Sequence, residues 1–454
     1  MNLKNKIVTV IGLGNSGVNA ANLLSDAGAV VRATDSQDTP ATREAQAALE
    51  KRNIKVEIGG HTENFIKGSR LIVVSPGVKE SSVALQWAKE HHITIISELE
   101  LGFRFSKGRI IAVTGTNGKS TVTTLIGEIL KSGGKDTVVC GNIGNSLCQE
   151  IARIKDDTWV VIEVSSFQLE RIEKFRPEIA LILNITDDHM DRYNNFNDYF
   201  SVKSKIFRNQ TADDILILNY DAPYLRDLKK KTRSNVIFYS KKEGSSDAYV
   251  KDGWVTCVSE GKIRRIARIS DIRLKGAHNL ENVLASAIAG LRAGVREDSI
   301  GRTVKNFIGL EHRFETVDTI DGVEYVDDSK GTTVDSTCRA LESCDRPVIL
   351  IAGGRDKLSD YTVIRGILRE RVRQVILIGE AKERIRSSLD GTVESIFADT
   401  MPQAVELAGR FAKGGEIVLL SPMCSSFDMF RDYKHRGEVF KEAVKKLKTR
   451  RVPI

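Results

Sequence analysis

Apolar residues in this chain come in short blocks separated by amphipathic stretches, and the alternation persists from end to end. KIVTVIG (6–12), AVVRATD (29–35), LIVVSPG (71–77) and ITIISE (93–98) are β-branched runs that stop at turn residues, which predicts strands. Positions 16–27 carry the helical period between the first two. Strands alternating with helices predict a parallel sheet with crossover helices. A second series begins at RIIAVTG (109–115) and runs through DTVVC (136–140), TWVVIEV (158–164), EIALILNI (178–185) and DILILN (214–219). Over 235–274 the pattern shifts to VIFYS, AYV, WVTCV and KIRRIARI with turns such as Asp252-Gly253, which predicts a small antiparallel insertion. A helix over 279–293 closes this series. The third opens near Arg313 with ETVDTI and VEYVDD joined by Asp321-Gly322, a hairpin signature. PVILIAGG (347–354), QVILIG (374–379) and EIVLLSP (416–422) follow, again alternating with helices.

Three consecutive α/β domains are expected: 1–100, 101–310 and 311–454. The first and last read as Rossmann-like. The middle one reads as a parallel sheet of the P-loop ATPase type carrying the antiparallel insertion. A chain of 454 residues is too long for one ordinary core. The formal net charge of +8 is spread along the chain. Its densest patch, 441–451, reads as a solvated helix face. Such an excess suits small anionic substrates and marks no nucleic-acid surface. Six cysteines without a CxxC pair exclude a zinc ribbon and point to free thiols in a reducing compartment. Neither a signal peptide nor an apolar run of about 18 residues is present, so a cytoplasmic protein with no membrane span is expected.

TGTNGKST (114–121) follows the strand residues IIAV and opens the helical run TVTTLIGEIL. That is the setting of a phosphate loop: glycines let backbone N–H groups converge on phosphate oxygens, and the helix dipole adds to the attraction. Thr114, Gly115, Thr116, Asn117, Gly118, Lys119, Ser120 and Thr121 are therefore the candidate ATP contacts. Lys119 would reach the outer phosphates, and the Ser120 hydroxyl a magnesium ion. Val113 stands where the strict pattern has glycine, so the loop is a variant. GLGNSG (12–17) with Asp35 closing the next strand fits a dinucleotide site, another nucleotide site or a structural turn. SPG (75–77) fits the same crevice or a plain turn. Glu163 and the run Asp187-Asp188-His189 end strands beside the phosphate loop, where metal ligands gather. Lys203 and Lys205 read as a solvated helix face on spacing alone. DDSKGTT (327–333), GGRDK (353–357) and SPMCSSFDMF (421–430) lie at strand ends of the third series.

Taken together, and with GNIG (141–144), EVSSFQLE (163–170), DHMDRY (188–193), GAHNLENVLA (276–285) and EHRFE (311–315), these segments make the whole chain resemble the Mur ligases. Those ATP-dependent enzymes add amino acids to the peptidoglycan precursor. Many of the segments are also shared with folylpolyglutamate synthetases. DDSKGTT and SPMCSSFDMF followed by Arg436-Gly437 resemble the D-glutamate-adding members in particular. Thr333 and Tyr193 depart from the asparagine and histidine common in the family.

The resemblance implies ATP and Mg2+ as cofactors. It implies UDP-N-acetylmuramoyl-L-alanine and D-glutamate as substrates, an acyl-phosphate intermediate, a monomer, and a third domain that closes on ATP. It makes GLGNSG a uridine-nucleotide site with Asn15, Ser16, Asp35 and Gly77 as contacts, so that no nicotinamide chemistry is needed, and it gives Asn142 to the muramoyl group. Ser120, Glu163, His189 and a carbamylated Lys203 would hold the metal, with Lys119, His189 and Lys203 catalytic. Asn279, Arg313 and Asp328 would bind ATP. Lys330, Thr332, Lys357, Ser426 and Tyr433 would line the amino-acid pocket.

Overall fold

Ile7–Ile11 lies at the centre of a five-stranded sheet and is buried along most of its length, as a parallel strand covered on both faces requires. In this computed structural model, residues 1–451 are described apart from 187, 189–191, 243–245, 275 and 358. The sheet runs Lys55–Glu57, Val30–Thr34, Ile7–Ile11, Leu71–Val74, Ile95–Ser97, and every pair is parallel. The chain builds outward on one side of Ile7–Ile11 and then returns to build on the other. At such a reversal the two connections leave opposite faces, and a crevice opens at the strands' carboxyl ends. Helix Asn15–Asp26 packs Ala20, Ala21 and Leu24 onto Val8, Val10 and Val31 below it.

Helix Glu98–Phe105 leads into the second sheet. Its fully buried Glu100 accepts the backbone N–H groups of Glu173, Lys174 and Phe175 and a 2.7 Å bond from Arg104 Nε. A buried carboxylate satisfied this way fixes the loop that leads to the next strand.

The second sheet has nine strands. Their order is Lys262–Arg268, Trp254–Ser259, Ala248–Lys251, Asn235–Tyr239, Ile215–Asn219, Ile179–Ile182, Arg109–Thr114, Trp159–Glu163, Thr137–Gly141. The expected antiparallel insertion over 235–274 is corrected here. Asn235–Tyr239 pairs parallel with Ile215–Asn219, and only the last two ladders are antiparallel. The helical turns Pro223–Arg226 and Asp227–Lys231 supply the crossover that a parallel pair needs. The antiparallel strands then extend the same sheet at its edge. The expected helix over 279–293 is Ala277–Arg292. A further helix, Glu297–Asn306, was hidden by its composition: Ile300, Gly301 and Val304 are its buried residues, too few to set a visible period.

The third sheet runs Glu315–Ile320, Val323–Asp327, Ile417–Leu420, Val348–Gly353, Val372–Ile378, Glu394–Phe397. The first two strands form the expected hairpin, with Asp321 at φ 52° and Gly322 at φ 77°, the paired left-handed residues of a type I′ turn. The other pairs are parallel. The order of strand addition reverses between Val348–Gly353 and Ile417–Leu420, which themselves run parallel. By contact the chain divides into two compact units: 1–185 with 197–270 and 282–304, and 186–196 with 271–281 and 305–454. No helix among the described residues is long and apolar enough to cross a membrane.

Candidate functional site

Arg109–Thr114 is buried beyond its first residue and delivers the loop 115–118 to the start of helix Lys119–Ser132. Gly118 caps that helix at φ 83°, and a Cβ there would overlap the Asn282 carboxamide. Backbone conformation and the close neighbour both demand glycine. The loop is gripped by a residue that sequence reasoning missed. Asn184 Oδ1 accepts the Asn117 N–H at 2.8 Å, its Nδ2 donates to Asn117 O at 3.1 Å, and its carbonyl accepts the Thr116 N–H at 2.9 Å. A polar residue ending the apolar run IALILN was the available signal. Thr114 Oγ1 donates to Val164 O at 2.8 Å and ties the loop's entry to the neighbouring strand. Lys119 folds over the loop, its Nζ donating to Gly115 O at 2.9 Å and Thr116 O at 2.8 Å.

Glu163 ends the strand beside Arg109–Thr114, in register with Val113. Its Oε1 accepts from Asn142 Nδ2 at 2.8 Å, while its Oε2 is buried without a partner among the described residues. A buried carboxylate with one bare oxygen suits a cation. Asn142, expected on the muramoyl group, thus also orients Glu163. Gly141 brings the two together, since a Cβ there would collide with the Glu163 carbonyl. Ser120 and Thr121 are buried in the first helical turn. His189 and Asp187 lie outside the described residues.

The two candidate lysines separate. Lys203 is 1% exposed, donates to Gly115 O at 2.8 Å and lies 4.7 Å from the centre of the Tyr199 ring. Lys205 donates to Glu170 O at 2.9 Å instead, and burial pulls its pKa down. Tyr199 is itself buried, with its hydroxyl 3.4 Å from Thr116 Oγ1. Lys203 is therefore part of the phosphate-loop corner and not a solvated helix face.

In the first sheet, a cleft of about 480 Å³ opens at the reversal point and is lined by Gly12, Asp35, His61, Gly77, Lys79 and Ser82 among others. Gly17 packs so closely that a Cβ would overlap the Gly12 carbonyl. Gly14 has nothing near its missing side chain, at an ordinary φ of −67°. The glycine that packing does not need is the one that a phosphate would need. Asp35 accepts the Leu13 N–H at 2.7 Å and the Gln37 N–H at 2.9 Å. It holds the glycine loop whatever else it binds. Asn15 is exposed and accepts from Asn19 at 3.1 Å, and Ser16 is half-buried.

In the C-terminal unit, three loops converge at the carboxyl ends of Val323–Asp327, Val348–Gly353 and Ile417–Leu420. Arg355 bridges to Ser425 in a single antiparallel contact. Arg436, fully buried, fastens them. Its Nε donates to Ser329 Oγ at 3.0 Å, Nη2 to Ser329 O at 2.8 Å and Cys424 O at 3.2 Å, and Nη1 to Cys424 O at 3.2 Å and Ser425 O at 3.3 Å. Burial pulls its pKa down to about 10. Gly437 follows because a Cβ would strike His312. Lys330 Nζ lies 3.7 Å from the centre of the Tyr433 ring, and the Tyr433 carbonyl accepts from Ser329 Oγ. Ser426 is buried and caps the turn to Met429 and Phe430 with its carbonyl. Thr332 closes a tight turn onto Lys330 O. Lys357 is half-buried beside Asp356, whose carboxylate is taken by Arg384 and Tyr361.

Asp328 is only partly covered at its surface, but its carboxyl is packed round by protein. Burial pushes it up to about 7 against the Ser421 hydroxyl bond at 2.8 Å and the Arg313 charge. Asn279 is buried at the start of helix Ala277–Arg292 in the same unit. Thr333 caps helix Val334–Glu342 through a reciprocal pair with Ser336, so this departure from the family keeps a working cap. Among the described residues, His312, Glu315 and Asp327 could share an ion. They are already spent on one another and on Lys441: Asp327 bonds the imidazole at 2.7 Å, and Glu315 takes the His312 N–H and the lysine.

Three family models match in succession: the Mur ligase MurD-like N-terminal domain over 6–97, the Mur ligase middle domain over 113–290, and the Mur ligase glutamate ligase domain over 312–424. A UDP-N-acetylmuramoylalanine–D-glutamate ligase of Koribacter versatilis is 45% identical, with 98% of this chain and 99% of that protein covered. Among solved structures, the UDP-N-acetylmuramate–alanine ligase of Thermotoga maritima superposes with a TM-score of 0.61 at 19% identity, over 98% of this chain and 100% of that one. The MurF ligase of Thermotoga maritima in complex with ADP gives 0.61 at 15% identity, over 98% and 99%. These two share the fold. With three consecutive family matches and a relative 45% identical across nearly its whole length, the chain belongs to the Mur ligase family.

Proposed function

We propose that the chain is an ATP-dependent amide ligase that adds D-glutamate to UDP-N-acetylmuramoyl-L-alanine, releasing ADP and phosphate. The observation that carries the reading is the phosphate-loop corner, where Lys119 and Lys203 both donate to Gly115 O and Glu163 ends the adjoining strand, in a chain 45% identical to a ligase of that name. We assign the uridine nucleotide to domain 1–100, ATP to 101–310 and the amino acid to 311–454.

The alanyl carboxylate attacks the γ-phosphate of ATP and becomes an acyl phosphate. The glutamate amine then attacks the activated carbon, and phosphate leaves as the amide forms. Lys119 releases its loop carbonyls to meet the phosphates, and the N-terminus of Lys119–Ser132 adds its dipole. Ser120, Glu163 and His189 would hold Mg2+, for which the bare Glu163 oxygen is a fitting ligand and which compensates charge on the transferring phosphoryl group. Carbamylation would turn Lys203 from a buried cation into an anion suited to that corner. Asn279, Arg313 and Asp328 would bind the nucleotide, with Asp328 on its ribose. Lys330, Thr332, Lys357, Ser426 and Tyr433 would receive glutamate, the cations selecting an acidic side chain.

The purified chain should release phosphate from ATP only with UDP-N-acetylmuramoyl-L-alanine and D-glutamate both present. Equal turnover with L-lysine or diaminopimelate in place of D-glutamate would sink the assignment.

A further inference from the structure

His61 lines the first cleft just beyond Lys55–Glu57. Its Nδ1 lies 2.8 Å from the Oγ1 of the fully buried Thr34, and no described residue bonds its Nε2. Thr34 Oγ1 also approaches Glu57 Oε2 and the Gly60 carbonyl, each at 3.3 Å. Both of those oxygens can only accept, and the hydroxyl has one proton. If that proton went to His61, two acceptor pairs would face each other bare. The arrangement that leaves only one such pair sends the hydroxyl proton to Glu57 or Gly60, with Nδ1–H donating to Thr34. Nε2 is then an acceptor. Burial supports the neutral ring by drawing the imidazole pKa down, although Asp35 and Glu57 pull the other way.

Position in the sheet says what this acceptor would meet. A nucleotide in a doubly wound sheet lays its phosphates over the glycine loop and extends across the neighbouring strand ends. Gly14 and helix Asn15–Asp26 mark the phosphate end, and Lys55–Glu57 is the outermost strand on the other side of Val30–Thr34. His61 therefore stands at the base end of the cleft. We infer that His61 reads the nucleobase, its Nε2 accepting the N3–H of uracil. This rests on the reading of the cleft as a uridine-nucleotide site. Cytosine carries no proton on N3, so two acceptors would oppose each other and the base would be rejected.

The test is calorimetric titration of the full chain with UDP and with CDP, alongside KM for ATP. The parent should bind UDP about tenfold tighter than CDP, the worth of one hydrogen bond set against an unpaired acceptor. His61→Ala should weaken UDP, leave CDP no weaker because the opposed acceptor is gone, and so erase the roughly tenfold preference. His61→Gln, which keeps an acceptor oxygen, should recover part of it. An unchanged KM for ATP in both variants reports an intact fold. UDP binding equally well to the parent and to His61→Ala overturns the role of His61 and leaves the cleft assignment standing. Equal weakening of UDP and CDP also overturns it, since His61 would then only shape the cleft. A parent that binds neither nucleotide while turning over ATP removes the cleft assignment itself, and the inference with it.

Discussion

Replacing Arg436 tests whether the C-terminal loops are held by one buried cation. Its guanidinium spans Ser329, Cys424 and Ser425, and each contact lies between 2.8 and 3.3 Å. Methionine matches the stem but takes the guanidinium donors away from the buried carbonyls of Ser329 and Cys424 and from the Ser329 hydroxyl, while the Ser425 carbonyl keeps the Arg355 N–H at 2.9 Å. Each carbonyl left bare costs about 1–3 kcal/mol. Against this stands relief from burying a charge, since burial pulls the guanidinium pKa down to about 10, worth roughly 3 kcal/mol. With about 1 kcal/mol more for the lost hydroxyl bond, the balance is a loss of about 2 kcal/mol for Arg436→Met. Arg436→Lys should fare little better, because one ammonium cannot fork to Ser329 and Cys424 at once. Urea unfolding followed by Tyr and Trp fluorescence measures the loss, and KM for glutamate should rise as the loops carrying Lys330 and Ser426 loosen. A Met variant within 1 kcal/mol of the parent (about that error in urea extrapolation), with KM for glutamate unchanged, would refute the idea that Arg436 fastens this site.

Two further outcomes follow from single residues. Asn184→Ala removes two side-chain bonds from Asn117, at about 1 kcal/mol each, so kcat/KM for ATP should fall on the order of 30-fold with KM for glutamate unmoved; parallel changes in both would show general loosening instead. Asp328 has a folded pKa near 7 against 3.8 for the free group. The folded state therefore holds its proton longer, and stability falls as pH rises from about 4 to about 7, by on the order of 3 kcal/mol. Asp328→Asn should flatten that decline in urea midpoints taken at pH 5 and pH 8, and an equally steep decline in the variant would assign the effect elsewhere.

The phosphate loop was legible because its chemistry is local: strand, glycines, lysine and helix start follow one another in TGTNGKST. The glycine loop and the Asp321-Gly322 hairpin were legible for the same reason, since backbone conformation is written in adjacent residues. What grips or reads these loops comes from elsewhere in the chain. Asn184 meets Asn117 across 67 positions and Arg436 meets Ser329 across 107, and neither residue type announces such a partner. The 235–239 strand was misassigned because five residues of strand character do not say whether the partner runs alongside or against them. The crossover between 219 and 235 decides that.

Lys203 and Lys205 mark where sequence pattern stops and physics takes over. Two residues apart on a helical stretch, they point to opposite sides, and composition offers no choice between them. The fold makes the choice by depth. Lys205 reaches a carbonyl near the surface of the sheet's flank, whereas Lys203 is enclosed between Tyr199 and the Gly115 carbonyl that Lys119 also holds. Two ammonium groups converging on one carbonyl repel each other, and the repulsion grows as water is excluded. On the function proposed above, phosphate at the loop would draw Lys119 off the Gly115 carbonyl, and a carbamate at Lys203 would put an anion where the second ammonium stands.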